Sequence, residues 1–151
     1  MATFSGKYYF TVDPKGRIII PSAFREVMKN HYNGKVIIAN APLDKCLHIY
    51  PIVEWEALLE KAKSLSMTMQ SARWFQRKVI GSGQEIEIDK QGRVLIPSSH
   101  REDSGIDLNS DIVIVGLINK IEVWERTQWN AVMERDSADT DAHAQELAAF
   151  I

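Results

Sequence analysis

Two stretches of the chain carry acidic and basic residues at a fixed spacing. Residues 13–26 read DPKGRIIIPSAFRE and residues 89–102 read DKQGRVLIPSSHRE, with eight identical positions. In each, an aspartate stands four residues before an arginine: Asp13 before Arg17, and Asp89 before Arg93. A lysine lies between them, Lys15 in the first and Lys90 in the second, and Lys7 and Arg25 are close by in sequence. These residue types recognise rather than make bonds. A guanidinium offers five N–H donors in a planar fork that fits a phosphate or the edge of guanine, and an ammonium answers a phosphate as a point charge. A structural role competes with this one. An aspartate can cap a turn and pair with an arginine across its mouth. Gly16 and Gly92 close the two turns under either reading.

The elements that must position these residues form a repeat. YYFTV (8–12) is aromatic and β-branched and predicts a strand. DPKG has Asp first, Pro second and Gly fourth, the pattern of a type I turn, and RIIIP predicts a returning strand that stops at Pro21. Together they predict a β-hairpin. EIEI (85–88), DKQG and RVLIP repeat it, with Ile86 and Ile88 on one face and Glu85 and Glu87 on the other. Ser after Pro predicts a short helix start in both copies, SAFREVMKNHY and SSHRED. Strands follow at KVIIA (35–39) and KCLHIY (45–50), and at DIVIV (111–115) and KIEVW (120–124). Each unit closes with a tryptophan at a helix start, Trp55 and Trp129. Between the units, apolar residues at helical spacing predict a helical hairpin that ends at Gly81 and Gly83, and the tail after Thr140 reads equally as one more helix or as a frayed end. The expected division is unit 1 over 5–53, a helical linker over 54–82, unit 2 over 83–126, and a C-terminal helix and tail over 127–151.

The chain has 151 residues, enough for one compact domain or two small ones sharing a core. A unit of roughly fifty residues buries too little apolar surface alone, so two packing as a pseudo-symmetric pair is a sufficient structural reason for the duplication. Net charge is −2, but its distribution is uneven. Residues 1–35 hold six Lys/Arg against two Asp/Glu, and residues 73–101 six against three. Residues 102–151 hold three against eleven. Both copies of the motif therefore lie in basic blocks, and a local basic surface attracts phosphates on an acidic protein. A two-stranded ribbon with basic residues at its tip has the shape to enter the major groove of DNA. The bland alternative is unevenly charged, solvated surface.

Several classes are set aside. Runs such as IVIVGLI (112–118) are too short to cross a bilayer, and MATFSGKYYF lacks the basic-then-apolar order of a signal peptide. Cys46 is alone, so no internal disulfide forms. A cytoplasmic location is expected, with no membrane partner. No phosphate loop, nucleophile elbow or metal-ligand spacing is present, and GSG (81–83) reads as a helix end. His31, His48, His100 and His143 are scattered: His48 is expected in a strand, the others on the surface. Cys46 reads as a small core residue. No enzyme activity, small-molecule substrate, metal or cofactor is expected.

At these residues the chain resembles the MraZ family of bacterial transcriptional regulators, relatives of the SpoVT-AbrB swapped-hairpin DNA-binding domains. The resemblance is carried by FSGKYYFTVDPKGRIIIPSAFRE, DKCLHIYPIVEWE, FQRKVIGSGQEIEIDKQGRVLIPSSHRE and IVIVGLINKIEVWERTQW, roughly residues 4–130. It implies an α+β, β-rich fold in which two tandem units interleave their hairpins into one pseudo-dimeric, β-barrel-like domain. It implies a ring-shaped homo-oligomer whose hairpins bind double-stranded DNA, as repeats in the promoter of the protein's own division and cell-wall operon, and so a nucleoid-associated location. Carried over residue by residue, it places DNA contact on Arg17 and Lys15. Lys7, Arg25, Lys90 and Arg93 are further candidates, and Asp13, Gly16, Asp89 and Gly92 form the structural motif. The second turn has Lys90 then Gln91 where the first has Pro14 then Lys15, so the first is expected to dominate. Two rivals remain: an oligomeric scaffold or protein-binding module using its four tryptophans, Trp55, Trp74, Trp124 and Trp129, and an antitoxin-like regulator, against which two full units in one chain weigh.

Overall fold

The computed structural model describes residues 3–151. Met1 and Ala2, at the head of the segment read for a targeting signal, lie outside them. The first unit runs β1 (Phe4–Thr11), β2 (Arg17–Ile19), α1 (Ser22–His31), β3 (Val36–Asn40) and β4 (Leu47–Pro51). Helices α2 (Ile52–Lys63) and α3 (Gln70–Lys78) lead to the second unit. That unit runs β5 (Gln84–Ile86), β6 (Arg93–Leu95), α4 (Ser98–Ser104), β7 (Asp111–Ile118) and β8 (Ile121–Glu125), and α5 (Arg126–Ser137) follows it as α2 follows the first. Helix α6 (Thr140–Glu146) follows. The fold is α+β.

The strands of the two units interleave. One antiparallel sheet has the order β1-β7-β8-β4-β3-β5, and a separate two-stranded ribbon pairs β2 with β6. Exchanging each strand for its counterpart in the other unit reverses the sheet order and leaves it the same. A pseudo-twofold axis therefore passes between β4 and β8. The ribbon obeys the same symmetry, with Ile18 opposite Val94, Arg17 opposite Leu95 and Ile19 opposite Arg93.

This corrects the hairpin reading. Each turn closes as expected, but its arms then separate: β1 pairs along its length with β7, and β2 pairs with β6. Turn residues reverse the chain; which strand each arm meets is decided by where its apolar face is buried. The closed, barrel-like sheet implied by the resemblance is not seen in the hydrogen bonding. The large sheet is open, with β1 and β5 at its edges, and β5 is cut to three residues. The helix starts also differ in detail. Pro21 and Pro97 hold the N-cap positions without a side-chain cap, and the Pro21 carbonyl accepts from the N–H groups of Phe24 and Arg25.

Alternation along the strands sorts the side chains into layers. Ile112 and Ile114 of β7 and Val36 and Ile38 of β3 face one side. There they meet Phe24 and Met28 of α1 and the inward residues of the ribbon strands, Ile18, Ile20, Val94 and Ile96. Each of these fully buried aliphatic side chains contributes about 1.5–3 kcal/mol. Val113, Val115 and Trp124 face the other side and carry Trp129 and Val132 of α5. Ile37, Ala39 and Tyr50 similarly carry Trp55 of α2. The ribbon and α1 thus cover one face of the sheet, and α2 and α5 the other.

The β1–β7 pairing depends on Gly116. A Cβ there would lie 2.7 Å from the backbone nitrogen of Ser5 and 2.9 Å from the ring of Phe24. Backbone on one side and a packed ring on the other cannot yield cheaply. Gly116→Ala is expected to destabilise the fold by about 1–3 kcal/mol, the usual cost of overpacking. Urea unfolding of the variant against the parent checks this.

Candidate nucleic-acid interface

The Asp13 carboxylate builds the first turn. Its Oδ1 accepts from the N–H groups of Lys15 at 2.9 Å and Arg17 at 2.8 Å. Its Oδ2 accepts from Arg17 Nε at 2.6 Å. The backbone closes the same loop, with Gly16 N–H donating to Asp13 O and Asp13 N–H to Arg17 O. Gly16 has φ +88°, so this is a type I turn followed by a left-handed glycine. The second turn repeats it. Asp89 Oδ1 accepts from Gln91 and Arg93 N–H at 2.9 Å each, its Oδ2 from Arg93 Nε at 3.0 Å, and Gly92 has φ +80°. The turn-capping role expected of each aspartate is met, and it leaves recognition chemistry available. The pair engages Arg17 through Nε, one of five guanidinium donors.

The ribbon presents a mixed face to solvent. Its inward residues are core, so Arg17, Ile19, Arg93 and Leu95 point outward, with Ile19 and Leu95 44% and 55% exposed. Arg17 and Arg93 are diagonal neighbours, about 7–8 Å apart by ribbon geometry. The ribbon does not end in a single basic tip. Because β2 and β6 are antiparallel, each following its own turn, the turns lie at opposite ends, Lys15 at one and Lys90 at the other. Each turn docks on the other unit's strand: Ile96 N–H donates to Gly16 O at 2.9 Å, and Ile20 N–H to Gly92 O at 2.8 Å. From Gly16 to Ile20 this ribbon spans roughly 14 Å at about 3.4 Å per residue.

Arg25 and Arg101 complete the two ends. Arg25 Nε donates to Ile20 O at 3.1 Å, and its guanidinium packs against Gly92, where a Cβ would lie 2.6 Å from its central carbon. Arg101 does the same across the axis, donating to Ile96 O at 3.3 Å and lying against Gly16. The basic groups gather as Lys15, Arg17 and Arg101 at one end and Lys90, Arg93 and Arg25 at the other. Arg101 was not singled out from the sequence, yet it is the second identical arginine of the repeat, so the signal was present. Lys7 is not part of this surface. It alternates with Tyr8 and Phe10, which pack into the main core, and lies instead over the rings of Tyr9 and Trp129 at 5.6 and 5.8 Å. Helix α5, which opens the most acidic part of the chain, also sits on that opposite side of the sheet.

Asp13 carries a pH signature. The backbone N–H of Arg17 does most to hold its carboxyl down to about 2, below the ordinary 3.8, against an opposing effect of partial burial. The Arg17 guanidinium and the Lys15 N–H add to the lowering. A depressed folded-state value means that the turn's stabilisation is complete above about pH 3.8 and is lost as pH falls through about 2. NMR titration of the Asp13 carboxyl is expected to give a midpoint near 2. A midpoint at the ordinary value would show the turn unbound in solution.

Two histidines depart from expectation in different ways. His48 lies in β4 as expected but is not isolated: its Nε2 is 2.8 Å from Glu122 Oε2 across the unit boundary. His100, expected on the surface, is 4% exposed, with Nε2 2.7 Å from Ser82 O. His100 occupies the position that Phe24 holds in the first copy, which is the reason for its burial. Cys46 is buried as expected.

Comparison with known proteins agrees with the duplicated architecture. The family model for MraZ protein, described as antitoxin-like, matches the chain twice, over residues 3–78 and 79–151. A "Transcriptional regulator MraZ" of Heliobacterium modesticaldum is 37% identical over 147 residues, covering 97% of this chain and 98% of that protein. One of Desulfitobacterium hafniense is 41% identical over 143 residues, covering 95% and 94%. That name describes a regulator of transcription and not an enzyme. Among the described residues no helix is long and apolar enough to cross a membrane. With two tandem matches that together span the described chain, and full-length relatives at this identity, the chain belongs to the MraZ family of transcriptional regulators.

Proposed function

We propose that the chain is a sequence-specific DNA-binding regulator that uses the outer face of the β2–β6 ribbon as its reader. The single observation that carries this reading is the two-ended basic ribbon. Its outward arginines, Arg17 and Arg93, are flanked by lysine-bearing turns at both ends. A span of roughly 14 Å is comparable to the ~12 Å width of the major groove. Arg17 and Arg93 are suited to base edges, and Lys15 and Lys90 to the phosphates that flank the groove. The outward Ile19 and Leu95 supply apolar contact to thymine methyl groups. A near-twofold reader matches the near-twofold symmetry of a duplex. Arg25 and Arg101 hold the turns against the ribbon and add charge at its ends.

The finer reading follows the resemblance. The chain assembles as a ring-shaped homo-oligomer and binds repeated sites in the promoter of its own division and cell-wall operon, within the nucleoid. A ring of individually weak ribbons on repeated sites gains affinity by effective concentration. That answers how a protein of net charge −2 binds a polyanion, with α5 turned away from the ribbon side. The first turn makes the dominant contact, because Lys15 follows Pro14 in a fixed backbone.

Salt dependence tests the electrostatic part. Phosphate contact by the two lysines and by Arg25 and Arg101 predicts a slope of log K against log salt on the order of −4 per ribbon engaged. A slope near zero would assign the ribbon to protein contacts, as in the scaffold reading. A monomeric variant that binds a repeat array as tightly as the native assembly would remove the ring from the account.

A further inference from the structure

On the sheet face opposite the ribbon, three side chains of metal-ligating type come together next to the pseudo-twofold axis. Cys46 immediately precedes β4, His48 lies two residues on, and Glu122 sits on β8 directly opposite His48 in the register. The sulfur, a ring nitrogen and a carboxylate oxygen all lie within 4.8 Å of one another. Cys46 and His48 are buried, and Glu122 nearly so. We propose that Cys46, His48 and Glu122 bind one zinc-class divalent transition-metal ion, which clamps β4 of the first unit to β8 of the second.

Three features favour a metal over a simple hydrogen-bonded cluster. The first is the donor set. One sulfur, one imidazole nitrogen and one carboxylate oxygen suit a borderline ion such as Zn²⁺, and neither Mg²⁺ nor Ca²⁺. A tetrahedral site with bonds of about 2.0–2.3 Å needs its ligand atoms some 3.3–3.7 Å apart, which small rotamer changes reach from here. The second is charge. A thiolate, a carboxylate, a neutral imidazole and a divalent cation sum to zero, so the site holds an ion without burying net charge. The third is the outer support. Tyr50 Oη lies 3.1 Å from His48 Nδ1, and Trp124 Nε1 donates to Glu122 Oε1 at 2.8 Å. The far atoms of His48 and Glu122 are thus held so that their near atoms face the common centre, as metal ligands require. Tyr50 and Trp124 are counterparts under the pseudo-twofold, as are His48 and Glu122, while Cys46, whose counterpart is Lys120, is supplied by the first unit alone.

Cys46 also lines an open cleft of about 820 Å³ between the β3–β4 connection, α3 and α4. Of the three ligands only Cys46 reaches this cleft, so an ion entering from solvent meets the sulfur first. On binding, the Cys46 thiol gives its proton to solvent and the thiolate takes the metal. His48 coordinates through Nε2 and keeps its proton on Nδ1, toward Tyr50.

Co²⁺ is the probe, titrated as the chloride into the untagged, chelator-treated full chain. Cys46 is the single cysteine, so any thiolate-to-cobalt charge-transfer band in the near ultraviolet reports this site alone. The expected result is one Co²⁺ per chain, that band, visible bands of four-coordinate intensity, and their loss on adding Zn²⁺. Cys46→Ser should abolish the charge-transfer band while circular dichroism stays that of the parent. Tyr50→Phe, which keeps the ring and all three ligands, should weaken Co²⁺ affinity about 10- to 100-fold. Zn²⁺ should raise the unfolding midpoint of the parent and not that of Cys46→Ser. A folded parent that shows no charge-transfer band overturns the proposal. So does a band with a stoichiometry of one cobalt per two chains, which signals thiolates from separate molecules. An affinity unchanged by both Tyr50→Phe and Glu122→Gln also overturns it and leaves the cluster as a buried hydrogen-bond network.

Discussion

Arg17→Ala is expected to lower affinity for DNA from upstream of the protein's own gene about 5- to 150-fold, the range that a lost bidentate arginine–guanine contact of about 1–3 kcal/mol corresponds to. The unfolding midpoint should move little. The Asp13 carboxylate keeps its two backbone partners, the N–H groups of Lys15 and Arg17, when the guanidinium is removed. Asp13→Ala is the informative contrast. It removes every side-chain contact that organises the turn, so it should lower both stability and affinity. Arg93→Ala should weaken binding less than Arg17→Ala if the first turn dominates. Equal losses would mean that the two ends of the ribbon read DNA alike. Isothermal binding and thermal unfolding on the same preparations separate these outcomes.

Phe24→Ala is expected to cost about 3–5 kcal/mol of folding stability, a large share of the 5–15 kcal/mol available to a domain. Phe24 is 1% exposed, and its ring meets Phe4 edge-on at 5.6 Å and Tyr8 at 5.3 Å. It joins α1 to β1 at the point where Gly116 lets the strands approach. Truncation leaves a cavity in the close-packed main core, beside Met28 one turn along α1. Guanidinium unfolding should show a lower midpoint at unchanged slope. An effect below about 1 kcal/mol would mean that α1 does not pack on the sheet as described.

What the sequence made legible was whatever depends on local chemistry. The two turns are built by residues within five positions of one another, so Asp13, Gly16 and Arg17 could be assigned a geometry and were found in it. Helices α1 to α4 and all eight strands arise from segments marked by composition, periodicity, Pro or Gly, whereas α6 falls in a tail whose sequence suited a helix and a frayed end equally. Strand pairing was not legible, because β1 and β7 pair residues a hundred or more positions apart and a turn motif is silent on partners. Hence the hairpin expectation gave way to exchanged arms, and a closed sheet to an open one. The repeat itself held more than was taken from it. Aligning the two copies puts Arg101 beside Arg25 and His100 beside Phe24, which would have assigned Arg101 to the ribbon end and His100 to the interior. The Cys46–His48–Glu122 cluster had no such signal, since Glu122 lies 74 residues from His48 and only the β4–β8 register joins them.

The account rests on the ribbon reading sequence as well as charge. Its most direct test is a fluorescence-anisotropy titration of the wild-type chain. The labelled duplex comes from upstream of its own gene and is compared with a shuffled duplex of equal length and composition, at near-physiological salt. The predicted result is saturable binding to the upstream duplex at least ten-fold tighter than to the shuffled one. Equal affinity for the two would reduce the ribbon to a non-specific basic surface. No binding to either would contradict the account and return the duplicated motif to a purely structural role.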